Sequence, residues 1–178
     1  MLIQQNKIKS LIPHFGKAQK NLYSWKELEG LLNLRPFMST ERFHTLGNHP
    51  QYRWNNSYWT TINNCWTPSC LKDVLSRSSA YLIDCSRVNK KINSICAKLE
   101  KLLHNNTDCH IYFSIDKNLP NFGKHKDISH NLLIVSIGSI HCKVWTDDGV
   151  IEQELSNGDY AFIPAQMYHK VAPLTDKR

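Results

Sequence analysis

The sequence predicts a mainly β domain entered through helices, on three observations. The clearest helical periodicities fall before residue 104. From Cys109 onward, short runs rich in β-branched and aromatic residues take over. Turn residues such as Asp147-Asp148-Gly149 and Gly158-Asp159 separate those runs at close intervals, which fits a β-sandwich or barrel and not a parallel sheet. With 178 residues the chain can bury one real core but has little room for a second. A single domain spanning 1–178 is therefore expected, with 1–104 as a helical or irregular lead-in and 105–178 as the β core.

Taken in order, Ser24-Trp25-Lys26-Glu27 is a capping box followed by Leu28, Leu31, Leu32 and Leu34 at helical spacing. Arg35 to Trp66 carries Pro36, Phe37, Phe43, Pro50, Tyr52, Trp54, Tyr58, Trp59 and Trp66 without a clean period. It reads as an irregular wrap that buries aromatic area, with a substrate platform as the functional alternative. Val88, Ile92, Ile95, Cys96, Leu99, Leu102 and Leu103 repeat at three- and four-residue steps, so a helix is expected there with Ser86 as its N-cap and Asn105-Asn106 at its end. A strand is expected over Cys109–Ile115, then a loop, apolar runs at 132–137 and 140–145, and a last clear strand at 160–164.

The formal charge of +7 is compatible with a nucleic-acid partner, yet the 22 Lys and Arg residues are scattered in ones and twos. A solvated basic surface is the favoured reading. No apolar run approaches the ~18 to 20 residues that span a bilayer, and the first residues lack the apolar stretch of a secretory signal. A cytoplasmic protein without membrane contact is expected. The six cysteines, at 65, 70, 85, 96, 109 and 142, contain no CxxC pair and are expected to be reduced thiols.

The chemistry concentrates in His125-Lys126-Asp127. On a strand, residues i and i+2 project to one face and can hold one ion between an imidazole and a carboxylate. Alone the tripeptide is weak: roughly 0.8 such H-x-[DE] patterns arise by chance at this composition. Its setting adds weight. Ten residues separate Asp127 from Gly138, and Gly158-x5-Pro164-x4-His169 follows; this order and spacing resemble those of the cupins, in which such a turn brings a second histidine onto a neighbouring strand. Two histidines and one carboxylate leave coordination positions open, the facial triad of non-haem iron oxygenases, where a structural zinc site would be closed by four ligands.

Over Cys109 to Arg178, through IYFS, FGKHKDISHNLLIVSIGSIHCKVW and LSNGDYAFIPAQMYHKVAP, the chain resembles the JmjC-like cupins of the Fe(II)/2-oxoglutarate oxygenases. The resemblance implies that 105–178 forms a double-stranded β-helix (cupin or jelly-roll) barrel. It implies Fe(II) held by His125, Asp127 and His169, with 2-oxoglutarate as co-substrate and dioxygen as oxidant. It places Asn131 and Tyr112 near the co-substrate carboxylates. Many members carry Lys or Arg two residues after the glycine matching Gly138, where this chain has Ile140. Ile140, Cys142 and Val144 are expected to point inward and His141, Lys143 and Trp145 outward. Prolyl-hydroxylase-like members instead use an Arg nine residues beyond the distal His in an H-x-V-x-P context. His169-Lys170-Val171-Ala172-Pro173 followed by Arg178 matches, so Arg178 is expected to anchor the 2-oxoglutarate tail.

By this resemblance the substrate is a C–H bond of a protein or peptide side chain, with small molecules also acted on in the family, and homodimers are common. Two other functions compete. One is a metal-dependent cupin enzyme that does not use 2-oxoglutarate, against which the Asp in the first ligand pair counts. The other is a non-catalytic binding module.

Overall fold

The computed structural model describes residues 8, 10–33, 42–46, 68–87 and 89–178. Of the aromatic segment Arg35–Trp66, only residues 42–46 are among them. The chain divides into two compact units, one of Met1–Ser24 with Asn121–Arg178 and the other of Trp25–Pro120. Strands outnumber helices, and three antiparallel sheets of three strands each organise the described residues. No helix among those residues is long and apolar enough to cross a membrane.

In the unit Trp25–Pro120, α1 (Trp25–Leu32) begins at the expected capping box and buries Leu28, Leu31 and Leu32 on one face. Helix α2 (Pro68–Arg77) has no counterpart in the sequence reading. Helix α3 (Lys90–Leu103) buries Ile92, Cys96 and Leu99, as its periodicity requires. Its cap differs from expectation. The Asn89 carboxamide accepts from the N–H groups of Lys91 and Ile92 at 3.0 and 3.1 Å, whereas Ser86 lies in a 3₁₀ turn and donates to Asp108 at 2.7 Å. Asn is as good a cap as Ser and stands directly before the first helical residue. The helix closes on His104 in the left-handed region, φ 53°.

The sheet of this unit runs β2 (Phe43–Leu46), β3 (Ser79–Leu82), β4 (Ile111–Phe113). Phe43, Ala80, Leu82 and Phe113 are buried, and Phe113 meets Phe43 and Trp25 edge-on at 6.3 Å. On the other side, the paired positions His44, Tyr81 and Tyr112 stack into a ladder with ring centroids 4.9 and 5.3 Å apart.

In the unit Met1–Ser24 with Asn121–Arg178, β8 (Asp159–Ile163) is flanked by β1 (His14–Lys17) and β5 (Asn131–Ile134). The second sheet places β6 (Ser139–Thr146) between β7 (Gly149–Ser156) and β9 (His169–Pro173). One core joins both sheets: Ile140, Cys142 and Val144 from β6, Leu155 from β7, Ala161 and Ile163 from β8, and Val135 after β5. Burying each such aliphatic side chain stabilises by about 1.5–3 kcal/mol. The alternation of β6 therefore follows the sequence expectation. His141 and Lys143 face outward and pair with Glu152 across the hairpin, so Lys143 is engaged away from the core.

Strand β1 lies in the stretch expected to be helical or irregular. Its register sets Gly16 opposite Tyr160, and a Cβ there would come within 2.6 Å of the Tyr160 ring. The absent side chain lets that ring lie over the strand. There the Tyr160 hydroxyl donates to His14 Nε2 at 3.2 Å, the Nδ1–H of His14 being spent on the Ile12 carbonyl. At the β7–β8 turn, buried Asp159 accepts from Lys17 and from the Ser156 N–H and hydroxyl. Burial works against its charge, and these donors outweigh burial, holding its carboxyl below the ordinary range.

After β9 the chain folds back on the start of β6. Leu174 donates to the Ser139 carbonyl at 3.0 Å, and the Thr175 hydroxyl accepts from the Ser139 N–H at 2.9 Å. Gly138 makes this possible. Its φ is 68°, and a Cβ there would overlap Thr175 Oγ1 and lie 3.3 Å from Arg178 Cβ. Gly138→Ala should lower stability by about 1–3 kcal/mol, combining left-handed strain with loss of the tail contact. Urea unfolding checks this, and an unchanged midpoint would show that the tail does not depend on this glycine.

Candidate metal centre

His125, Asp127 and His169 come together in the unit that holds β5 to β9. One ligand atom from each lies within 4.8 Å of the other two. Asp127 Oδ2 is 3.4 Å from His169 Nε2 and 3.9 Å from His125 Nε2. Two atoms that share one ion at ~2.1 Å stand roughly 3 to 4 Å apart, so a small contraction would suffice.

The backbone brings them there. His169 opens β9, which pairs with β6, and His125 extends that sheet by one bridge. The His125 N–H donates to the His169 carbonyl at 3.0 Å, and the His169 N–H returns a bond to His125 at 2.8 Å. Asp127 is tied to the same frame because its carbonyl accepts from the Gln166 N–H at 2.7 Å. His130 adds a second tie, its Nδ1 accepting from the Ala165 N–H at 3.0 Å.

Both histidines are oriented alike. His125 Nδ1 stands 2.9 Å from the Gly123 carbonyl and His169 Nδ1 stands 3.1 Å from the Met167 carbonyl. A carbonyl only accepts, so each Nδ1 carries the proton and each Nε2 keeps its lone pair toward the centre. Burial holds the His169 imidazole below its ordinary pKa, with His125 acting in the same direction and the Met167 carbonyl and Asp127 opposing. A neutral imidazole is the form that binds metal.

Asn131, the first residue of β5, donates through Nδ2 to Asp127 Oδ2, the oxygen that faces both imidazoles. In this structure it fixes the Asp127 carboxylate. Arg178 lies in the same unit, against Gly138. Its Nε is buried without a hydrogen-bond partner among the described residues, and burial lowers its pKa from the ordinary value. Tyr112 belongs to the unit Trp25–Pro120, where its ring stacks on Tyr81.

The rim was not foreseen from sequence. Lys124 Nζ lies 4.2 Å from the Trp145 ring centroid and 5.0 Å from that of Tyr168, and Lys126 Nζ lies 5.5 Å from Tyr168. Phe122 packs on His125 with ring centroids 5.3 Å apart. The only sequence signal was the clustering of cationic and aromatic residues beside each ligand.

Two imidazole nitrogens and one carboxylate oxygen, with no fourth His, Cys, Asp or Glu joining the group among the described residues, suit a catalytic ion with open positions and not a closed structural site. An unpartnered buried guanidinium nitrogen in the same unit suits a carboxylate ligand.

No protein-family model matches the sequence, and no curated protein does. Solved structures of YcfD, a ribosomal oxygenase from Escherichia coli, match in shape. One covers 99% of this chain and 49% of that chain at TM-score 0.67 and 18% identity. A complex with cobalt and succinic acid has TM-score 0.67 and 18% identity, and one with cobalt and 2-oxoglutarate 0.65 and 16%. The chain shares their fold. It spans about half the length of those structures, covering 49% to 50% of each.

His169→Ala should abolish binding of a divalent ion by isothermal titration while circular dichroism stays unchanged. Asn131→Ala should weaken the ion's affinity about 10- to 100-fold through the freed Asp127 carboxylate. Wild-type affinity in His169→Ala would remove this residue from the ligand set.

Proposed function

We propose that the chain is an Fe(II)- and 2-oxoglutarate-dependent oxygenase that hydroxylates a C–H bond of a protein or peptide side chain. The observation that carries this reading is the convergence of His125 Nε2, Asp127 Oδ2 and His169 Nε2 on one point. A fold shared with an oxygenase solved with cobalt and 2-oxoglutarate supports it. In this reading the two sheets of the ligand-bearing unit belong to a double-stranded β-helix barrel.

His125, Asp127 and His169 would hold the iron. Bound Fe(II) with 2-oxoglutarate supplies the oxidising chemistry, in which decarboxylation to succinate and carbon dioxide is coupled to insertion of one oxygen atom into the substrate C–H bond. The protein's share is position and charge. Gly123 and Met167 fix the ring orientations, and Asn131 holds the carboxylate. Arg178 is the anchor for the distal carboxylate of the co-substrate. It packs against Gly138, two residues before Ile140, the strand position at which related enzymes carry Lys or Arg. The tail would thus deliver the cation that β6 lacks, and the buried Nε without a partner would gain one.

Anaerobic addition of Fe(II) and then 2-oxoglutarate should give a weak visible charge-transfer band, lost in His125→Ala. Iron binding without the band would favour a metal-dependent enzyme of another type, and no iron binding would favour a binding module. Arg178→Ala should raise the apparent KM for 2-oxoglutarate at least about 10-fold, since a charged hydrogen bond is worth ~1.5–3 kcal/mol, while leaving iron affinity near wild type. An unchanged KM would move the anchor to another residue.

A further inference from the structure

The basic residues are scattered along the sequence, but the sheet of β7, β6 and β9 gathers several of them on its outward face. Ile140, Cys142 and Val144 of β6 turn into the core, so Lys143 and Trp145 stand on the opposite face. In and beside β9, buried His169 is flanked by exposed Tyr168 and exposed Lys170. The register sets Lys170 opposite Lys143, and the Trp145 N–H donates to the Tyr168 carbonyl at 2.9 Å, which puts the two aromatic positions side by side. His125 adds one bridge beyond β9. Its neighbours Lys124 and Lys126 are exposed, and their ammonium groups lie over the Trp145 and Tyr168 rings, so they belong to the same face.

Like charges directly opposite each other on a sheet cost stability. Lys143 meets that cost with a partner, since Glu152 on the neighbouring strand β7 accepts from it. Among the described residues no carboxylate pairs with Lys124, Lys126 or Lys170. A surface that served solubility alone would intersperse the two signs. Here three unpaired lysines from two neighbouring segments stand around two aromatic rings, and the cation–π contacts hold two of the three in place.

We propose that this outward face binds single-stranded nucleic acid, with Lys124, Lys126 and Lys170 taking phosphates and the rings of Tyr168 and Trp145 taking bases. Tyr168 is 47% exposed and offers the larger free ring area. An acidic peptide would use the charges and leave the rings idle. A nucleotide carries a phosphate and a π-face in one unit, which matches lysines set between aromatic rings on a sheet. Unpaired bases are required, because a duplex keeps its base faces stacked inside the helix. The proposal does not rest on the oxygenase reading, since none of these five side chains is a metal ligand.

The test is fluorescence anisotropy of the full chain with a labelled oligouridine of about 12 nucleotides. Three phosphate contacts predict that log K falls against log salt with a slope of about −2, and Lys124→Gln or Lys170→Gln should each make it shallower by ~0.7. Tyr168→Leu should weaken binding at least about 5-fold and leave the slope unchanged, because stacking releases no counterions. Circular dichroism checks that each variant folds. No binding at ~50 mM salt would overturn the proposal, as would an unchanged slope in both lysine variants. Polyglutamate displacing the probe as well as unlabelled oligouridine does would make this an acidic-protein site instead, and duplex RNA bound as tightly as the single strand would remove the rings from the account.

Discussion

The candidate site depends on one pair of backbone hydrogen bonds, those exchanged between His125 and His169. The two residues are 44 positions apart in sequence, and neither imidazole could be placed to a few tenths of an ångström by its own loop. An antiparallel bridge fixes the two Cα atoms in register and leaves only the side-chain rotations open. Those are then removed by two carbonyls at equal offsets, Gly123 and Met167, each two residues before its histidine. The same local device is used twice, and both Nε2 atoms face the Asp127 carboxylate as a result.

The bridge is in turn an extension of β9, whose register with β6 pairs His169 with Val144 and Pro173 with Ile140. Because the strand period is two, the buried set Ile140, Cys142 and Val144 locks that register: a slip by one residue would carry His141 and Lys143 into the core, with the desolvation of a Lys as its cost. Core packing and ligand placement are thus one constraint. At the far end of the same pair of strands, Gly138 and Thr175 fold the tail back and set Arg178 there. The separation of the His125–Asp127–His169 trio from the Arg178 end is thus set by the length of β9 and the residues after it.

Much of this was legible in the sequence where local rules act alone. The capping box marks α1, the three- and four-residue repeat marks α3, and the alternation of 140 to 145 gives the inward face of β6. That His125, Asp127 and His169 come together was readable because G-x5-P-x4-H couples a turn to a strand start. What was missed depends on partners distant in sequence. β1 contains Gly16 and β7 exposes most of its residues, so neither has a strand pattern until β8 or β6 lies beside it. The 3₁₀ turn at Cys85–Arg87 displaced the cap from Ser86 to Asn89, since Asp108, 22 residues on, competes for the serine hydroxyl. The bond of Asn131 to Asp127 depends on a loop conformation that no spacing rule encodes.

Exposure within the trio is uneven, and that gives the site a direction. The side chain of His169 is 6% exposed and those of His125 and Asp127 are 33% and 38%. An ion would be backed by the strand and open on the loop side. Lys124 and Lys126 flank His125 in sequence, among the described residues without a carboxylate partner, their ammonium groups against Trp145 and Tyr168. A cation held by an aromatic face keeps its full charge and loses rotamer freedom, so it attracts anions at lower entropic cost than a free surface lysine. In the proposed reading, two such charges flanking His125 in sequence would attract a dianionic co-substrate, an effect that fades with added salt. The buried Arg178 differs in kind: its Nε lacks a partner among the described residues and would gain most from a ligand that reaches it. In the proposed reading, these surface cations would act on the rate of entry and Arg178 on residence, which separates attraction from anchoring within one small unit.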